Sequence, residues 1–395
     1  MTKVVLVGAS GFGGEYIKLF REETVPDARV CAVADPYASS SPHFAWLCEK
    51  GIPAFPRLED FYGDGRWADL VVISSPIQFH RRQAETAMQN GAAVLCEKPL
   101  CAGAADAAAL LRIWEKTGVP FGVGFQWSFS SSMEALKRDI LDGTLGKPLL
   151  LKTIVSWPKE DAYYGAGGWK GKRRDQTGLA VNDSVAMNAA SHYLHNMLFV
   201  LGDKPDASIC PETLSGSLYR VRSIETFDTC FLRGRFADGC TFLFCASHAA
   251  ERVVNPRFEY RFEKGTVYYD ENVSGTVRAE FQDGSVKEYG SPQSDGLVRR
   301  KLMAMTDAAH TGKQPVCGIR TVIPHLLVCD AILEGLDITP FPKELIVRET
   351  DRLLVSGLTD AMEAFYQTEK MPDTAAVPWI TPERTVRIHA KERAV

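Results

Sequence analysis

The sequence predicts an α/β protein in two parts: a parallel sheet covered by helices, then an α+β part with a large, open, mainly antiparallel sheet. Three observations predict it. Short, near-continuous apolar segments alternate with helix-patterned segments up to about residue 120, the pattern of strands buried on both faces. The first apolar segment runs directly into a glycine-rich turn, Gly8-Ala9-Ser10-Gly11-Phe12-Gly13-Gly14. Beyond Gln126 long strands are punctuated by Asp-Gly and Lys-Gly turns, which favour antiparallel hairpins.

In the first part, strands are expected at 3–8, 29–34, 70–74, 92–96 and 120–124, with helices at 12–21, 78–90 and 104–116. A glycine turn between strand and helix makes residues 1–124 a Rossmann-type dinucleotide-binding domain. The second domain, 125–395, opens with a helix at 131–141, a strand at 149–157 and a Gly-, Lys- and Arg-rich loop over 158–178. A helix at about 185–201 ends at Gly202. Strands at 225–236, 240–248, 258–262 and 266–269 are read as one open antiparallel sheet. Helices return at 297–310, 321–336 and about 351–367, and an extension from about 340 ends in an extended tail.

Composition bounds the function. The chain has 395 residues, 45% hydrophobic and 24% charged, with net charge −4. This is ordinary for a soluble globular protein and gives no footprint for nucleic acid or an anionic membrane. No apolar run approaches the ~18 residues that span a bilayer. A strand begins at once, leaving no room for a signal peptide, and the ten cysteines are scattered without a CxxC pair. The expectation is a cytoplasmic protein with reduced thiols and no metal centre.

The chemistry starts at the glycine turn. It reads as GxxGxxG, or as GxGxxG with Ser10 in place of the second glycine. Such a turn lets backbone approach a pyrophosphate, with helix amides to receive it, so Gly8, Ser10, Gly11, Phe12 and Gly13 are candidate cofactor contacts. Asp35 ends the second strand, where a carboxylate accepts hydrogen bonds from an adenosine ribose and repels a 2′-phosphate, favouring NAD over NADP. Ser74 and Ser75 end the third strand at a helix start, where their hydroxyls can touch the cofactor. Glu97-Lys98-Pro99 follows the strand at 92–96. A lysine at that strand end lies where ligands bind in open α/β sheets, so Lys98 is the candidate catalytic lysine.

The glycine loop, Ala-Val-Ala-Asp at 32–35, Ser-Pro-x-x-x-His at 75–80, Glu-Lys-Pro at 97–99 and Gly-Phe-Gln at 124–126 resemble the glucose-fructose oxidoreductase and inositol dehydrogenase family, Gfo/Idh/MocA. The resemblance thins after about residue 340. It implies a sugar or cyclitol dehydrogenase with an N-terminal NAD(P) domain and a sheet that supports a homodimer or homotetramer. It implies that Lys98 contacts the nicotinamide ribose and the substrate oxygen. It also implies that Glu97, Ser75, His80 and Gln126 contact the cofactor.

The second constellation is Asn188-Ala189-Ala190-Ser191-His192-Tyr193-Leu194-His195. At helical spacing Asn188, His192 and His195 share one face. The resemblance makes His192 the acid/base histidine, with Asn188 where the family has aspartate; Asp183 is a candidate replacement carboxylate. Core packing and metal binding are the rival readings of these histidines. In the loop, Tyr163, Trp169 and Lys170 suit a sugar, apolar rings taking its C–H face and a cation its hydroxyls or an acid substituent. His248, at a strand end, is a further candidate. The expected reaction is hydride transfer from a secondary alcohol of a polyhydroxylated substrate to NAD. Two other functions stay open: glycoside cleavage by transient oxidation and elimination, and non-catalytic NAD sensing.

Overall fold

The structure, a computed structural model, describes residues 1–293, 296–375 and 377–388. The chain begins β1 (Thr2–Val7), α1 (Phe12–Arg21), β2 (Ala28–Ala34), α2 (Phe44–Glu49), β3 (Ala54–Phe55), α3 (Leu58–Gly63), β4 (Leu70–Ile73), α4 (Ile77–Gln89), β5 (Ala93–Cys96), α5 (Ala104–Thr117) and β6 (Phe121–Val123). It continues α6 (Ser131–Leu141), β7 (Pro148–Ser156), α7 (Asp161–Gly165), α8 (Ser191–Val200), β8 (Thr213–Arg220), β9 (Thr229–Arg235), β10 (Thr241–Ser247), β11 (Val254–Phe262), β12 (Gly265–Asp270), β13 (Val277–Phe281) and β14 (Val286–Gly290). Last come α9 (Leu297–Thr311), α10 (Ile319–Gly335), β15 (Ile338–Pro340), β16 (Ile346–Glu349), β17 (Arg352–Val355), α11 (Leu358–Thr368) and β18 (Arg384–Arg387).

The chain divides into two compact units. The first holds a six-stranded parallel sheet in the order β3-β2-β1-β4-β5-β6. Its strands are buried on both faces, which is why they read as continuous apolar runs. The unit also takes back residues 296–323, so the linear boundary at 124/125 is corrected. The reason is packing. Leu302, Met305 and Ala308 recur on one face of α9 and join Val4, Leu6, Val30 and Leu95 in a single core.

The second unit is built on a ten-stranded sheet with the path β14-β13-β12-β11-β7-β10-β9-β8-β15, to which β18 adds beside β8. It is mainly antiparallel; β10 runs parallel to β7, and β15 to β8. Side chains alternate across it. Ile154, Phe231, Leu243 and Cys245 meet Leu358, Met362 and Phe365 of α11, while α6 and α8 lie against the sheet as well.

Two expected helices are corrected. The segment expected at 185–201 is helical only from Ser191, because residues 185–190 form turns. The segment expected at 351–367 is strand β17 followed by α11, separated at Gly357, whose φ of +75° breaks a helical run. In the tail β18 is extended and pairs with β8, after turns at 374–375 and 378–379; residues 376 and 389–395 lie outside the described residues.

Candidate active site

In the first unit, the glycine turn leaves β1 with Gly8 at φ +95°, backbone that favours glycine. A Cβ at Gly13 would collide with the Gly8 carbonyl and the Ser74 hydroxyl, so the turn closes only on glycine. Ser10, Gly11 and Phe12 are exposed at the start of α1, and the amides of Ser10 and Gly11 make no hydrogen bond among the described residues. Asp35 stands across from them: one carboxylate oxygen accepts the Ala9 N–H at 2.8 Å and the other the Tyr37 N–H at 2.8 Å. Open amides beside a fixed carboxylate fit the pyrophosphate and ribose of a dinucleotide.

The other cofactor candidates divide. Ser74 donates to the Val7 carbonyl at 3.0 Å and Ser75 to Gln83 Oε1 at 2.5 Å, which ties the end of β4 to β1 and α4. His80 is 1% exposed, with Nδ1 2.9 Å from the Pro99 carbonyl and Nε2 2.7 Å from the Ser75 carbonyl. Burial lowers its pKa and the two carbonyls oppose that. The neutral ring has one N–H, so it bonds one carbonyl at a time. His80 is thus a buried brace between the β4 and β5 ends, a correction to its expected cofactor contact. Glu97 is buried too. It accepts from Tyr16 Oη at 2.5 Å, pairs with the fully buried Lys301, and takes the Lys98 N–H at 3.3 Å. Burial raises the Tyr16 pKa well above its ordinary value, with Glu97 adding to it, so Tyr16 stays a donor. Lys98 and Gln126 are half-buried at the strand ends.

In the second unit, Asn188 lies in the turns before α8, not on its face. Its amide donates to Asp183 Oδ1 at 2.8 Å, and Asp183 Oδ2 accepts the Gly171 N–H at 2.6 Å. Asp183, the candidate replacement carboxylate, is thus hydrogen-bonded directly to Asn188. His192 sits half-buried in the first turn of α8. His195 is corrected to a core residue: it is 1% exposed, stacks on Phe199 and meets His325 edge-on. Burial, with the charges of His325 and Lys137, drives its pKa well below the ordinary value.

The loop candidates gather around His248. Its Nδ1 lies 2.8 Å from Tyr164 Oη, and Tyr163 packs edge-on at 5.5 Å. Lys170 Nζ lies 4.1 Å from the Tyr163 ring centre and 4.3 Å from that of Trp169. His248 is 2% exposed, and burial followed by Lys159, Arg222 and Lys170 holds it neutral. Sequence reasoning missed Lys301, Lys159, Arg222 and Asp228. Lys301 comes from α9 and Arg222 and Asp228 from the β8–β9 connection, far along the chain, while Lys159 lies in the loop already singled out but carries no spacing signal of its own. No group of three metal-ligating side chains occurs among the described residues, and no helix there is long and apolar enough to cross a membrane.

A glycine turn, an aspartate at the end of the second strand and a strand-end lysine on a 3-2-1-4-5-6 sheet define a dinucleotide-binding protein. Residues 2–125 match the family described as the oxidoreductase family, NAD-binding Rossmann fold, and residues 133–268 match the GFO/IDH/MocA C-terminal domain. The chain belongs to the Gfo/Idh/MocA oxidoreductase family, and its first unit is the NAD-binding domain. It is 29% identical over 163 residues to an inositol 2-dehydrogenase of Corynebacterium glutamicum, covering 41% of this chain and 48% of that protein. It is 27% identical over 168 residues to a 1,5-anhydro-D-fructose reductase of Ensifer adhaerens, covering 42% and 47%. The matched stretch thus spans about half the length of these relatives. Among solved structures, the WlbA dehydrogenase of Bordetella pertussis with NADH and UDP-GlcNAcA has the same fold, with TM-score 0.66 at 21% identity over 85% of this chain and 96% of that one. A levoglucosan dehydrogenase with NADH and levoglucosan also shares it, with TM-score 0.69 at 16% identity over 85% and 96%.

Proposed function

We propose that the chain is an NAD-dependent oxidoreductase that removes hydride from a secondary alcohol of a sugar, sugar derivative or cyclitol. One observation carries the reading. Glu97 is clamped by Tyr16 and Lys301 directly behind Lys98, which fixes a cation at the strand ends where dinucleotide ligands bind in open parallel sheets. NAD, when bound, supplies the hydride acceptor. The amides of Ser10 and Gly11 receive its pyrophosphate and Asp35 its adenosine ribose. Lys98 donates a hydrogen bond to the substrate oxygen. His192 accepts the hydroxyl proton as hydride leaves, a task suited to an imidazole with an ordinary pKa of about 6.5. Asn188, anchored on Asp183 in the turns that lead into α8, orients that imidazole. Tyr163 and Trp169 offer aromatic faces to the sugar's C–H face.

The reading extends to a cytoplasmic homodimer or homotetramer assembled through the second unit's sheet, at the β12–β14 stretch where Arg278 and Glu288 are exposed. Sedimentation velocity checks the assembly. The activity is tested by NADH formation over a panel of sugars, sugar acids and cyclitols. NADH is expected with the wild type and lost with Lys98→Ala. Tight NAD binding without NADH from any substrate refutes the reading.

A further inference from the structure

Two ammonium groups in the second unit flank one aromatic ring. Lys170 Nζ lies 4.1 Å from the Tyr163 ring centre, and Lys159 Nζ lies 5.2 Å from it and 5.8 Å from that of Trp157. Both lysines are half-buried, and burial lowers the pKa of each. Neither forms an ion pair among the described residues. The charged groups around them are otherwise engaged. Arg222 bonds the Lys159 carbonyl and pairs with Asp161, which also holds Arg348. Glu160 pairs with Arg352. Asp183 uses its oxygens on Gly171 and Asn188, and Asp228 uses its own on Val221 and Thr229.

Behind the lysines, His248 is 2% exposed, and its Nε2 has no hydrogen-bond partner among the described residues. Its other nitrogen is engaged by Tyr164, whose pKa burial raises well above the ordinary value, so the phenol stays protonated. The carboxylates are thus satisfied within the protein while two cations and a polar ring atom are not. Desolvated like charges without a counter-ion are costly, and an anion relieves the cost.

We propose that Lys159 and Lys170 form a carboxylate-binding subsite, which makes the substrate a sugar acid, an aldonate or uronate, and not a neutral sugar. Its place in catalysis rests on the oxidoreductase reading above; its binding does not. The aromatic faces of Tyr163 and Trp169 take the sugar's C–H face while the ammonium groups take the acid. Asp183 acts on Lys170 and Glu160 on Lys159 from beyond ion-pair range, so the positive charge of the two lysines is partly offset. That matches a monoanionic carboxylate better than a phosphate dianion.

The test compares pairs that differ only in an acid group, such as D-galacturonate with D-galactose and D-gluconate with D-glucitol, by calorimetric titration and by NADH formation. In the wild type the acid is expected to bind at least about 10-fold tighter than its neutral partner, with the advantage falling as salt is raised. Lys170→Met and Lys159→Met should each cut that advantage to about 3-fold or less, and Lys170→Arg should retain it. Equal binding of acid and neutral partner overturns the proposal. So does the absence of saturable acid binding, or an acid preference that survives both methionine variants. Lysine-dependent acid binding without any NADH keeps this subsite and removes the oxidoreductase reading. NADH from neutral sugars with no acid preference does the reverse.

Discussion

Lys301→Met keeps the length of a side chain that is fully buried and deletes its charge. In the wild type the Lys301 ammonium pairs with Glu97, whose side chain is 9% exposed. Burial lowers the Lys301 pKa and the Glu97 carboxylate opposes the shift, so the pair stands because each member answers the other. In the variant Glu97 keeps the Tyr16 hydroxyl and the Lys98 amide but loses the ammonium that pairs with it. Removing one partner of a buried pair costs about 3–5 kcal/mol, because the other charge is left uncompensated. The two surviving hydrogen bonds place the expectation near the lower end, about 3 kcal/mol, or more than 100-fold in the unfolding equilibrium. Urea unfolding followed by near-UV circular dichroism measures it, provided the m-value is unchanged. Glu97→Gln should restore part of the loss, with the double variant at least about 1 kcal/mol more stable than the sum of the singles predicts. Turnover should fall in Lys301→Met, since Glu97 also receives the Lys98 amide. A single variant within about 0.5 kcal/mol of wild type, or strict additivity in the double, refutes the reasoning.

NAD should bind more tightly than NADP by about 1–3 kcal/mol, since Asp35 places a carboxylate where the 2′-phosphate would lie; Asp35→Ser should narrow the gap, and equal affinities in the wild type refute it. Lys98→Ala should lower turnover by roughly 100-fold or more with NAD affinity largely kept. His192→Ala should lower turnover by roughly 100- to 10,000-fold and remove the acidic limb of the pH profile; wild-type rates with that limb intact would put the base elsewhere. Burial raises the Asp228 carboxyl to about 6, against the hydrogen bond from Val221 and the Arg222 charge. A folded pKa above the unfolded value of about 3.9 means that stability from this group is complete below about pH 4. About 3 kcal/mol is then lost as pH rises through about 6. Asp228→Asn should flatten that slope in urea midpoints taken across the window, and an unchanged slope counts against it.

The parallel sheet was legible because its strands are buried on both faces, so apolar runs mark them without help from context. Thr2–Val7 and Ala93–Cys96 lie within a residue of the expected spans. What escaped was short or paired at a distance. α2, β3 and α3 are six, two and six residues long, below the length at which periodicity speaks. Arg352–Val355 carries a run of three apolar residues that fits a helix as well as a strand, and only its pairing with β16 decides. α9 was found in sequence but given to the wrong unit, since amphipathicity says that a helix has a partner and not which partner.

The same distinction governs the site. Lys98 was legible because Pro99 and the preceding strand fix its position locally. Asn188 read as a departure because it stands where the resembled family has aspartate, with Asp183 the candidate replacement, and the helix was read as continuous through residues 185–201. Turns at 185–190 instead fold the chain so that Asp183 and Asn188 meet at 2.8 Å. Asp183 lies one hydrogen bond from Asn188 and is held in place by the Gly171 amide. A carboxylate displaced in this way can still orient polar groups through Asn188, yet it adds less direct charge to His192 than an aspartate at 188 would. Asn188→Asp would place a second carboxylate against Asp183. Like charges at that separation raise the pKa of the pair, so the variant should shift the pH profile upward without restoring a faster enzyme. A variant faster than wild type at every pH would show that the relocated charge is a defect and not the working arrangement.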